Sequence, residues 1–181
     1  MAKKFEEYTS EELENLWESH QQNLNLIKID NVKCEQVKKL YKNKKLNVIP
    51  LWHLDKTQID LKLQRDNLND EILEDGYEIY NSVNIELLLS KMDANGTIYT
   101  GKQLFHRALS KANICKVINH WLEGTKLIPP SLMPLNGKIN PVDGKHRLQV
   151  AVYFKAKEIP IFVPNIWKEE IEKILEIKLV K

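Results

Sequence analysis

The sequence predicts an α/β protein of the α+β kind: a small mixed sheet flanked by helices, preceded by a helical extension. Three observations predict it. From Leu104 onward, helical patterns of apolar residues alternate with short apolar strands. Asn136-Gly137 separates two of those strands and is the strongest hairpin signal in the chain. Asp143-Gly144 then turns the second strand into another helix. Residues 1–45 read as the extension and 46–181 as one compact unit, with no Gly/Ser-rich or Pro-rich linker between them.

The elements follow in order. Thr9 and Glu12 form a capping box, and Leu13, Leu16 and Trp17 give the helix behind it one apolar face. Residues 23–30 alternate well enough for a short strand. Val37, Leu40 and Tyr41 have helical spacing among lysines, so 32–45 reads as a basic surface helix. Leu46–Trp52 reads as a strand that Pro50, which has no N–H for a ladder, makes an edge or a strand end. Residues 56–75 are polar and acid-rich, and read as a loop with one helical turn at most. After Gly76, Tyr77–Tyr80 is a brief strand and Asn84–Met92 a helix; residues 93–96 turn. Leu104–Leu122 reads as one long helix stopped by Gly124. Strands follow at Leu132–Leu135 and Lys138–Val142, a helix from Lys145, a strand at Glu158–Val163 and a last helix at Ile166–Leu179.

Composition narrows the function. Apolar residues are 43% of the 181 and charged residues 29%, enough for a core and too many apolar groups for a wholly disordered chain. No run of about 18 apolar residues exists, so no membrane-spanning helix and no membrane partner are expected. Met1–Phe5 leads into Glu6-Glu7 and not into an apolar stretch, so an intracellular, cytoplasmic protein without a secretory leader is expected. Cys34 and Cys115 are too few for a disulfide scaffold and have no neighbouring cysteine for zinc, so they read as thiols.

A net charge of +2 makes no case for nucleic acid by itself. Its distribution is uneven. Lys33, Lys38, Lys39, Lys42, Lys44 and Lys45 are opposed only by Glu35, and from Lys102 to Arg147 the only acids are Glu123 and Asp143. Such a surface is either an ordinary solvated face or a phosphate-backbone contact, the latter through Lys38, Lys39, Lys42, Lys44 and Lys45. His106 and His120 fall about 21 Å apart on the expected long helix, so no shared metal site is expected of them. The four tryptophans fall on separate elements and read as core.

The chemistry-bearing segment is Asp143-Gly144-Lys145-His146-Arg147. A glycine before a helix allows close approach to the first-turn N–H groups, which with the helix dipole favour a phosphate. Lys145 and Arg147 add positive charge, Arg147 with a bidentate fork. His146 can donate to a phosphate or move a proton near neutral pH. Asp143 can orient a ribose hydroxyl, hold a metal or cap the helix. Asp-Gly before a helix is also common as plain turn chemistry.

Leu127–Pro130, Gly137–Leu148 and Ile159–Val163 together resemble the core of the ParB/sulfiredoxin-fold superfamily, over roughly residues 104–163. The resemblance implies a ParB/sulfiredoxin-like core with a phosphate cradle at this turn. Gly144, Lys145, His146 and Arg147 would face the phosphates of a nucleoside triphosphate, ATP or CTP, with Mg²⁺. Sulfiredoxins carry a catalytic cysteine where this chain has Lys145, and ParB clamps carry an arginine where it has His146. Only about one helix follows Val163, too little for the helix-turn-helix of the ParB clamps.

Three functions are therefore expected in competition. The first is a nucleotide-binding protein, with His146 and Asp143 as candidate catalytic groups for hydrolysis or phosphoryl transfer; a carboxylate of the 55–75 loop would be another source of a base. The second is a DNA-binding or ParB-like nuclease module of a phage or mobile element. The third is a non-catalytic interaction protein. A homodimer is compatible with each.

Overall fold

A computed structural model describes residues 30–58, 70–93 and 100–178. The expected capping-box helix and the strand at 23–29 lie outside these residues, as do the turn at 94–96 and Leu179; the last helix, expected over Ile166–Leu179, is shorter, beginning at Lys168 and ending at Leu175, where Glu176 turns left-handed. Helix α1 covers residues 30–42, and a single 3₁₀ turn follows at Lys56–Gln58. Next come α2 (Asp70–Leu73), β1 (Tyr77–Asn84) and α3 (Ile85–Ser90). Helix α4 is Lys111–Leu122, β2 is Ser131–Leu135 and β3 is Lys138–Asp143. Helix α5 (Lys145–Tyr153), β4 (Glu158–Pro164) and α6 (Lys168–Leu175) complete the fold.

The fold is mixed α+β. Its four strands lie in the order β1-β4-β2-β3. β1 pairs antiparallel with β4, β2 antiparallel with β3, and β2 parallel with β4. Asn136 and Gly137 both have positive φ, 53° and 73°, as a type I′ hairpin turn between β2 and β3 requires. Two prolines shape the ladders by lacking an N–H. The register of β1 on β4 shifts between Tyr80 and Val83, opposite Pro160. The register of β2 on β3 shifts between Ser131 and Leu132, so that Ser131 faces Asp143 and Leu132 faces Pro141. That second irregularity delivers Asp143 to the end of the sheet.

The main core joins α1, α4, α5 and α6 to one side of the sheet through Val37, Ile114, Ile118, Leu148, Ile161 and Leu175. Ile79, Ile128 and Phe162 form a second, smaller cluster. Neighbours on β4 thus serve both faces: Ile161 joins the main core and Phe162 the other, as strand alternation demands. Trp121 belongs to the main core and Trp52 packs against it, the two rings meeting edge to face at 5.1 Å.

Four expectations are corrected. The long helix begins at Lys111, not Leu104. Ser110 caps it by accepting from the Asn113 N–H, and the preceding residues turn instead: Leu109 N–H donates to the His106 carbonyl and Ala108 N–H to His106 Nδ1. His106 and His120 therefore do not share a helix. The strand expected at 46–52 reduces to one bridge, Trp52 with Leu127, because Pro50 cannot extend a ladder. The brief strand at 77–80 runs on to Asn84, where the Asn84 side chain accepts from Leu87 N–H and starts α3. Cys34 and Cys115 are joined in a disulfide across 81 residues, linking α1 to α4.

The stop at Gly124 is a Schellman motif: Thr125 N–H donates to the His120 carbonyl and Gly124 N–H to that of Trp121. Among the described residues no helix is long and apolar enough to cross a membrane.

Candidate functional site

The turn between β3 and α5 is built by three residues that lock one another. Gly144 is left-handed, φ 77°. A side chain there would put its Cβ 2.7 Å from the Pro130 Cα and 2.9 Å from an Arg147 guanidinium nitrogen, so only glycine fits. Asp143 Oδ1 accepts from the Gly144 N–H at 2.6 Å. Asp143 Oδ2 accepts from Arg147 Nη2 at 2.8 Å, an ion pair whose side chains are only 4% and 9% exposed. Asp143 ends β3 and Arg147 lies in the first turn of α5, so the left-handed Gly144 between them folds the guanidinium back onto the carboxylate. Ser131, buried, lies across the ladder from Asp143.

This geometry separates the five candidate residues. Asp143 and Arg147 are buried and turned to each other, so the turn uses the guanidinium expected on phosphates as an internal brace. Asp143, expected as a catalytic group or metal ligand, spends an oxygen on each of its two partners. Lys145 is exposed. His146 is half-buried, and its Nε2 accepts from the Ser110 N–H at 3.2 Å. In that bond the Nε2 lone pair faces the Ser110 N–H.

The Ser110–His146 bond brings a second helix start to the same corner. Both α4 and α5 begin there, and neither has an acid in its first turn. No side chain caps α5. Lys111 and Lys145, the first residues of the two helices, are exposed, as is Arg107 three residues before Ser110. Two positive helix ends and three cations attract an anion. Arg107 and Lys111 belong to the basic run read from Lys102 to Arg147, but Ser110 was not singled out by sequence, because the expected helix from Leu104 ran straight through it. The signal was present in Ser110 followed by Lys111, an N-cap residue ahead of an apolar helical pattern.

The basic residues of the extension lie on and just beyond α1. Lys39, Lys42, Lys44 and Lys45 are exposed. Lys38 pairs with Glu35 at 2.7 Å, and that contact, a hydrogen bond first and a charge second, holds the Glu35 carboxyl below its usual range. In the 55–75 loop, Asp55 accepts from the Thr57 hydroxyl and N–H, which lower its carboxyl in the same way. That carboxylate caps a turn. On β1, burial pushes the Tyr80 hydroxyl above its ordinary range, and its 2.7 Å hydrogen bond to Glu172 adds to the shift. Among the described residues no three His, Cys, Asp or Glu side chains are grouped to hold a metal ion.

No protein-family model, curated protein or solved structure matches this chain. The resemblance to the ParB/sulfiredoxin fold accordingly rests on the motifs within residues 104–163.

Proposed function

We propose that the protein binds the phosphates of a nucleotide at the corner where α4 and α5 begin. The observation that carries this reading is the convergence of two acid-free helix starts through the Ser110–His146 hydrogen bond, with exposed Arg107, Lys111 and Lys145 beside them. Lys145 and the backbone of the turn contact the phosphates. Arg147 and Asp143 act from beneath, holding Gly144 in the one conformation that presents that backbone. A preorganised turn of this kind costs little reordering when the anion arrives. Asp143 is buried and paired with Arg147, so in this reading it braces the turn and does not hold Mg²⁺. The ion would supply charge neutralisation on the phosphate oxygens only. The function proposed is therefore binding; hydrolysis would need a base other than Asp143.

A thermal-shift panel of ATP, ADP, CTP, GTP and UTP, each with and without Mg²⁺, tests the reading on the wild type and Lys145→Glu. A nucleotide at one hundred times its Kd stabilises by roughly 2.7 kcal/mol. A shift with one nucleotide that disappears in Lys145→Glu supports the reading. No shift with any of them overturns it and favours a non-catalytic interaction protein.

A second reading is DNA binding by the α1 lysines, favoured by their exposure and by the absence of any acid from Gln36 to Leu54. Four exposed lysines on phosphates would give a slope of about −3.6 in log K against log salt. A flat salt dependence overturns it.

A further inference from the structure

We propose that Cys34 and Cys115 form a reversible redox latch that sets how firmly the basic helix α1 is held to α4. These are the chain's two cysteines, 81 residues apart, and they sit on different helices with Cα atoms 5.0 Å apart. That separation lies within the range a disulfide spans, so the packed helices present the two sulfurs to each other without backbone movement.

The other links between these helices are weak. Lys33 reaches Glu123 at 2.7 Å and Lys116 reaches Asp30 at 2.9 Å. All four side chains are 41–53% exposed, where single ion pairs contribute little. Val37 and Tyr41 supply apolar packing; Tyr41 meets the rings of Phe105 and Tyr153 at 5.4 and 6.0 Å. Among the described residues the disulfide is the covalent tether between the two helices, beside the apolar packing of Val37. α1 carries the exposed lysines, and α4 carries Ser110 at the phosphate corner, so the latch joins the two basic regions.

The oxidant is a low-molecular-weight disulfide of the glutathione class. Cys34, 8% exposed against 1% for Cys115, is the sulfur that meets it first. The Cys34 thiolate attacks one sulfur of glutathione disulfide, forming a mixed disulfide and expelling one glutathione thiolate. The Cys115 thiolate then attacks the Cys34 sulfur and expels the second. The two protons given up by the cysteines go to the two departing thiolates. Two protein thiols are oxidised and one disulfide is reduced. Because both sulfurs are buried, exchange proceeds only when α1 lifts locally.

The test equilibrates the full chain in glutathione buffers running from fully reduced to fully oxidised. Free thiols are then trapped by alkylation and counted by mass spectrometry, and amide hydrogen exchange of residues 30–42 is measured at both ends. The latch predicts a sigmoidal change from two labelled thiols to none within the series, and at least tenfold faster exchange of α1 in the dithiol form. Cys115→Ser should exchange like that dithiol form. A bond that persists in every buffer would make it a permanent staple and overturn the proposal. Thiols that stay free in every buffer overturn it too, and so does a bond that titrates while α1 exchange stays the same.

Discussion

Removing either half of the Asp143–Arg147 pair should damage the protein more than removing the charges of both. At 2.8 Å, with an effective dielectric constant of about 20, the attraction is roughly 6 kcal/mol. Taking the two ions out of water costs several kcal/mol each, so the pair as a whole contributes little net stability. A lone survivor is different, since it stays buried without its counter-charge. Arg147→Met and Asp143→Asn should each cost about 3 kcal/mol, and Asn keeps the oxygen that accepts from Gly144. The double variant leaves no lone buried charge and should cost less than either single, about 1–2 kcal/mol, against about 6 kcal/mol if the single costs added. In a domain of this size a single variant would melt roughly 6–12 °C lower. Urea unfolding of all four proteins measures the cycle. Costs that add within about 0.5 kcal/mol, or single variants below about 1 kcal/mol, would refute the interlocked turn.

Gly144→Ala should destabilise by about 2–4 kcal/mol in urea, from a left-handed alanine and a Cβ pressed on the Pro130 backbone. Gly137→Ala meets open space and should cost only the left-handed penalty of about 1 kcal/mol. Reducing the disulfide removes a cross-link over 81 residues, for which loop entropy gives about 4.5 kcal/mol; urea melts with and without reductant read it. The Lys33 hydrogen bond and charge hold the Glu123 carboxyl below its ordinary value. Its small stabilisation is present above the unfolded-state value and is lost as pH falls through the folded one. Carboxyl NMR should therefore find Glu123 low in the wild type and nearer normal in Lys33→Met.

The hairpin and the β3–α5 turn were legible in the sequence because Asn-Gly and Asp-Gly encode their geometry locally. The helix from Lys145, the strand at 158–164 and the basic helix were legible from their periodicity. What escaped depended on contacts distant in sequence. The start of α4 was hidden because Leu104 and Ala108 continue the apolar spacing of Cys115 and Ile118, whereas Leu104 fills the core from a loop. The extent of β1 was set by pairing with β4, not by its own residues Asn81, Ser82 and Asn84. Arg147 looked like a free cation because its spacing from Asp143 reads equally as a helix pair or as two ligand-facing groups. The disulfide partners are 81 residues apart, and nothing local in either segment points to the other.

Backbone amide NMR during titration with ATP, and separately with CTP, tests the phosphate corner most directly. The proposed function predicts shifts centred on the amides of Gly144, Lys145, His146, Ser110 and Lys111, saturating together and weakened in Lys145→Glu. Saturating nucleotide that leaves those five amides unmoved, or that moves only the lysine-bearing residues of α1, would contradict it.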